Sequence, residues 1–318
     1  MARLRDRVQN ALDEARLLIL GAQVLLGFEY RSVFEKGFEQ LPAHSRYLKL
    51  LGLSALLITL ALLIWPGSYH RIVNKGVDSE DLHQFTTRVM TWALLPFALA
   101  LGFDMFVASE RVAGPFIGIT IGVFAAILAI YFWYVLEAIE RKRHTENKPM
   151  SATRAKSSGT KLRDKIKHVL TEARVVLPGA QALLGFQLIT FLMDGFEKLS
   201  NILKYVHLVS LCLTAVSIIL LMTPAAYHRI VERGEETEHF HRFASKTLLA
   251  AMAPLAFAVC SDFFVVVWVV TESEELALIS GGAMLLLFLG LWFVMPAYWR
   301  VTGARRAPHH SRAPVAQG

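Results

Sequence analysis

The chain has 318 residues, 54% of them hydrophobic and 19% charged, with a mean hydropathy of +0.44, whereas a soluble domain is about 45–50% apolar and about 25% charged. That excess excludes an ordinary water-soluble globule, and the net charge of +7 comes without a folded basic module, so no nucleic-acid partner is expected. The two cysteines, Cys212 and Cys260, lie in apolar runs and support neither a disulfide framework nor a thiolate metal site.

In chain order, the start MARLRDRVQNALDEARLL places Leu4, Val8, Leu12 and Ala15 on one helical face, which suits a helix in the headgroup region. Apolar runs follow whose length suits a hydrocarbon core of about 30 Å at about 1.5 Å per residue. Eight spans are predicted, at 15–34, 47–65, 87–108, 113–135, 173–193, 205–223, 245–270 and 276–296, the first weakened by Glu29 and Arg31. The runs are apolar on all sides, without the alternation of a barrel strand, so the expected class is an all-α integral membrane protein. PGSYHRIV at 66–73 closes the second span, where the proline predicts a helix end or kink and Tyr69 and Arg71 read as interface anchors. The third span carries Pro96 and Asp104. A polar basic linker is expected at 144–160 and a basic flexible tail at 302–318.

The second half copies the first. A shift of 158 residues, without gaps, aligns RLRDRVQNAL at 3–12 with KLRDKIKHVL at 161–170, and EARLLILGAQVLLGF at 14–28 with EARVVLPGAQALLGF at 172–186. It also pairs PGSYHRIV with PAAYHRIV at 224–231, and Pro96 and Asp104 with Pro254 and Asp262, before the likeness fades. Two repeats of four spans, 1–143 and 161–301, must each begin and end on one face, so they are expected to be parallel, about a pseudo-two-fold axis along the membrane normal. Of the 33 lysines and arginines, 26 fall on the side of the termini, linker and YHR segments, which the positive-inside rule makes cytoplasmic. Anionic headgroups are the expected partners of these basic segments.

E-x-R before the first span, G-x-Q-x-L-x-G-F within it and P-x-x-Y-H-R after the second together resemble an uncharacterised family of small bacterial membrane proteins with four helices per copy. The resemblance covers nearly the whole chain and implies a tandem fusion of two copies in a bacterial inner membrane. It also implies that single-copy relatives form the same unit as a homodimer. It brings no activity with it.

Several repeated polar positions are candidates for function. Gln23 and Gln181 lie among Gly21, Gly27, Gly179 and Gly185, a face that allows close helix approach with an amide partner across it. Asp104 and Asp262 place carboxylates in apolar runs, where such groups meet a cavity or a partner. The partner is expected across the axis, although 17 residues into its span Asp104 also approaches the outer headgroups. Tyr69, His70 and Arg71 with Tyr227, His228 and Arg229 would form a cytoplasmic mouth, and His83 and His241 follow without a compact metal-ligand spacing. No nucleophile, metal or cofactor pattern is present, so no enzyme and no cofactor are expected. Two functions fit: passage of a small ion or solute between the repeats along Gln23, Gln181, Asp104 and Asp262, or a non-transporting membrane scaffold acting through its basic cytoplasmic segments. Convergence of those polar side chains separates the two.

Overall fold

The computed structural model describes residues 2–72, 79–136, 139, 158–230 and 238–298; most of the linker and all of the tail lie outside the described residues. The described residues are helical. The first repeat holds α1 (Ala2–Ser32), the short α2 (Lys36–Glu39), α3 (Ala43–Ile72), α4 (Glu80–Ala113) and α5 (Pro115–Ile130), which runs on into a π-turn at Tyr131–Val135. The second holds α6 (Ser158–Thr190), α7 (Asp194–Glu197), α8 (Asn201–Ile230), α9 (Glu238–Thr271) and α10 (Glu274–Leu289), with a π-turn at Gly290–Val294.

Local chemistry sets the helix ends. Ser79 accepts the Leu82 N–H at the start of α4, where Glu80 and Asp81 complement the helix dipole. Gly114, at φ 85°, ends α4 in a conformation that favours glycine, and Pro115 opens α5 where no backbone donor is needed. In the second repeat this turn has one more residue: Glu272 takes φ 54° and Ser273 caps α10 by accepting from Leu276 N–H. Up to that turn every helix start or end matches its counterpart closely at a shift of 158, and beyond it the shift becomes 159. Pro66 and Pro224, expected at a helix end or kink, lie inside α3 and α8, which continue to Ile72 and Ile230.

Among the described residues six helices are long and apolar enough to cross a bilayer: α3, α4 and α5 with its π-turn, and their three counterparts. The expected first spans, 15–34 and 173–193, lie in α1 and α6, whose apolar stretches are weaker; Val175–Thr190 is a shorter apolar helix. Yet α1 and α6 occupy the middle of the molecule. Leu18 of α1 lines one small cavity with Thr59, Leu63, Ala93 and Phe97 of α3 and α4, level with their midpoints. One continuous core joins both repeats, with Met90, Phe97 and Trp133 from the first and Leu211, Ile218 and Ile219 from the second.

Within the first repeat α4 and α5 approach closely through Gly102, Gly118 and Gly122: an added Cβ would lie 2.9 Å from Ala126 Cβ, 2.9 Å from Glu110 Cβ and 2.7 Å from Gly102 O respectively.

 
The second repeat has Cys260, Ala277 and Gly281 at those places and larger Met284 and Phe288 where the first has Ala125 and Ala129. Of α10 only Ala277 and Gly281, which face α9, are buried.

The repeats meet along α1 and α6, and the contacts climb both helices in the same order. Gly21 faces Gln181, Phe28 faces Gly185 and Phe186, Lys36 bonds Asp194, and Gly37 N–H donates to Leu192 O at 3.0 Å. A two-fold axis would require each unequal contact to be matched by its reciprocal. The reciprocals are missing, because a Cβ on Gly27, Gly179 or Gly195 would meet nothing within 4 Å and Gln23 is exposed. The same one-sidedness extends outward: α8 packs on α4, α5 and the first π-turn, with Trp133 Nε1 donating to Ile219 O at 3.0 Å, while α3 has no comparable packing on α9 or α10. Phe28–Phe186 and Lys36–Asp194 join equivalent positions, as a pseudo-two-fold requires, whereas Gly21–Gln181, Gly37–Leu192 and the packing of α8 have no reciprocal, so the expected pseudo-two-fold is broken toward a head-to-tail contact.

Candidate functional site

Asp104 and Asp262 do meet partners, within their own repeats and not across the seam. In the first repeat Lys49 of α3 donates to Glu29 of α1 and, at 2.9 Å, to Asp104 Oδ1 of α4, and all three residues are buried. One ammonium thus ties three helices together, and the trio contains one acid more than base. Burial of such charges is tolerated only with pairing of this kind.

The repeat-equivalent positions are Gln187, His207 and Asp262. Gln187 Nε2 donates to Asp262 Oδ2 at 2.7 Å and to Ser210 Oγ at 2.8 Å. His207 places Nδ1 3.0 Å from Asp262 Oδ1 and Nε2 3.2 Å from the Gln187 carbonyl. The carbonyl only accepts, so a hydrogen bond to it needs the imidazole hydrogen on Nε2. The same three-helix clamp is therefore built twice with different chemistry, Glu–Lys–Asp and Gln–His–Asp.

Lys49 lies six residues into α3, roughly 9 Å from its start at about 1.5 Å per residue, so the clamp sits toward one end of the bundle. A polar belt continues beyond it. His44 Nε2 is 2.7 Å from Glu110 Oε1, and Ser45 also donates to Glu110. Arg111 donates to Gly37 O, to Gln40 and, at 2.6 Å, to Glu197 of the second repeat. Lys36 reaches Asp194 at 2.7 Å.

Other expected site residues stay apart from this clamp. Gln181 is fully buried against Gly21 with both amide atoms unpaired, and Gln23 is exposed, so the glycine-lined approach forms on one side only and the amide partner does not. The Tyr69 ring lies 4.4 Å from that of Phe85, and Tyr227 lies 4.3 Å from Phe243, its counterpart. The repeated tyrosine therefore joins the end of one helix to the start of the next in both repeats. His70 Nδ1 is buried without a hydrogen-bond partner and Arg71 is exposed; the side chains of His228 and Arg229 lie outside the described residues. Among the described residues no three His, Cys, Asp or Glu side chains are grouped to hold a metal.

Lys49, Gln187 and His207 were not singled out in the sequence, and Glu29 was noted only as weakening the first span. A signal for them exists: at the shift of 158, Glu29 pairs with Gln187, Lys49 with His207 and Asp104 with Asp262, so each clamp position is polar in both copies, and of these three pairs the aspartates alone keep their identity.

A family model of unknown function, DUF6328, matches residues 1–137 and again 156–296. The chain belongs to the DUF6328 family. The two matches are consistent with a tandem duplication, in which each DUF6328 repeat carries one clamp. No curated protein and no solved structure matches the chain.

Proposed function

We propose that this DUF6328 protein is an eight-span protein of the bacterial inner membrane with two parallel repeats and both termini cytoplasmic, and that it is a non-transporting scaffold. The eight-span reading is supported by α1 and α6, which run through the same layer as the six apolar helices and are screened from lipid along the seam. Shielding explains how helices with weaker apolar stretches can lie at membrane depth.

The observation that carries the scaffold reading is that each intramembrane aspartate is engaged by residues of its own repeat. A path between the repeats needs polar side chains that converge on it. Gln181 makes no hydrogen bond, Gln23 is exposed, and the cavity beside the α1–α6 seam holds only about 30 Å³. The basic cytoplasmic segments then supply attraction to anionic headgroups, worth about 1 kcal/mol per basic residue near the surface. Purified protein in proteoliposomes should pass no protons, potassium, sodium or chloride above the level of empty vesicles. A flux abolished by Asp104→Asn with Asp262→Asn, in variants that fold normally, would replace this reading with transport. That second reading draws on the contact between His207 Nδ1 and Asp262 Oδ1 at 3.0 Å.

A further inference from the structure

The interface between the repeats uses two different surfaces, and each surface occurs twice. The first repeat contributes Gly21, Phe28, Gly37, α4, α5 and Trp133, and the second answers with Gln181, Gly185, Leu192 and α8. The sequence-equivalent surfaces on the opposite repeats have no partner. On the first repeat these are Gln23, Gly27, Phe34 and α3; on the second, Gly179, Gly195, α9, α10 and the side of Phe186 turned away from Phe28, Phe186 being still 62% exposed.

Exposure follows this rule at equivalent positions. Leu208 of α8 is 4% exposed and Leu50 of α3 is 57% exposed. Ile219, Met222 and Ala226 are buried, while Ala61, Ile64 and Ser68 are exposed. On the other surface Trp133 is fully buried and donates to Ile219 O, whereas Trp292, the third residue of the equivalent π-turn, is partly exposed. Phe34 is 87% exposed where its counterpart Leu192 is 2% exposed.

We propose that a second copy of this chain occupies these surfaces: the α3 face of one copy docks on the α9–α10 face of the next and repeats the contact already made inside each chain. A head-to-tail contact continues until it closes into a ring, and two chains, four repeats, are the smallest closed ring. Charge fits this assembly. Lys36 and Asp194 hold the same place in the two repeats with opposite sign, and they pair at 2.7 Å within the chain. Between copies the same positions again bring Asp194 of one chain to Lys36 of the next. A face-to-face dimer of either surface would oppose like charges there. The inference concerns assembly alone and does not depend on whether the protein transports anything.

The test is cross-linking in native membranes, on full-length chains with Cys212 and Cys260 replaced by alanine. One chain carries Ala61→Cys and a differently tagged chain carries Trp292→Cys, the pair equivalent to Ile219 and Trp133. A short bismaleimide should join the two tags in a product of twice the 35.6 kDa chain mass. Each variant expressed alone should give no such product. A second pair, Gly27→Cys with Phe186→Cys, should behave alike and guards against misfolding caused by loss of Trp292. Linkage of Ala61→Cys chains to one another would overturn the head-to-tail contact in favour of a two-fold dimer. Absence of any linked product from both pairs, with the purified particle at the mass of one chain, would overturn the assembly.

Discussion

At the residue scale, the clamp is a test of pairing. Removing one partner of a buried ion pair costs about 3–5 kcal/mol, because the other charge is left uncompensated, whereas replacing the whole pair can be neutral. Lys49→Met should therefore lower the thermal unfolding temperature sharply, since Glu29 and Asp104 both lose their ammonium. The double change Glu29→Gln with Lys49→His writes the second repeat's clamp into the first and should recover much of that loss. If the double variant unfolds no higher than Lys49→Met, the two clamps are not interchangeable. Asp104 and Asp262 were visible in the sequence because a carboxylate in an apolar run is conspicuous. Lys49 was not, because six residues from a helix start it reads as an interfacial cation.

At the element scale, equivalent glycines meet different surroundings. A Cβ on Gly37 would lie 2.5 Å from the carbonyl oxygen of Leu192, which is backbone and cannot swing away, while one on Gly195 meets nothing within 4 Å. Overpacking of this kind costs about 1–3 kcal/mol. Gly37→Ala should lower the unfolding temperature, and Gly195→Ala should leave it within error of the parent; equal effects would mean that the two repeats see the same neighbours. Helix existence and type were legible from the apolar runs. The continuation of α3 and α8 through Pro66 and Pro224 was not, because a proline removes one backbone bond and packing on both sides can hold the remainder of the helix together.

At the scale of the whole molecule, the number of spans decides the topology. With eight spans four crossings separate Ala2 from Ser158, so single cysteines at these positions, in the cysteine-free chain, should label from the same side. With only the six most apolar helices crossing, three crossings would separate them and the labels would fall on opposite sides. Labelling of Ser158→Cys only from the periplasm would invert the proposed orientation.

Composition and periodicity by themselves determined that the chain is helical and apolar enough for a membrane, and a constant shift of 158 residues determined that it is a duplication. Both follow from local chemistry: hydrocarbon demands internally satisfied backbone, and a copied segment repeats its own helix signals. Only the tertiary structure decided which polar groups meet. Glu29, Lys49 and Asp104 come from three helices, and nothing in the spacing of positions 29, 49 and 104 brings them together before α1, α3 and α4 pack. It also decided that the repeats join unequally. Each repeat presents both contact surfaces in its sequence, and only the packing of one repeat on the other uses one of each and leaves the other two open.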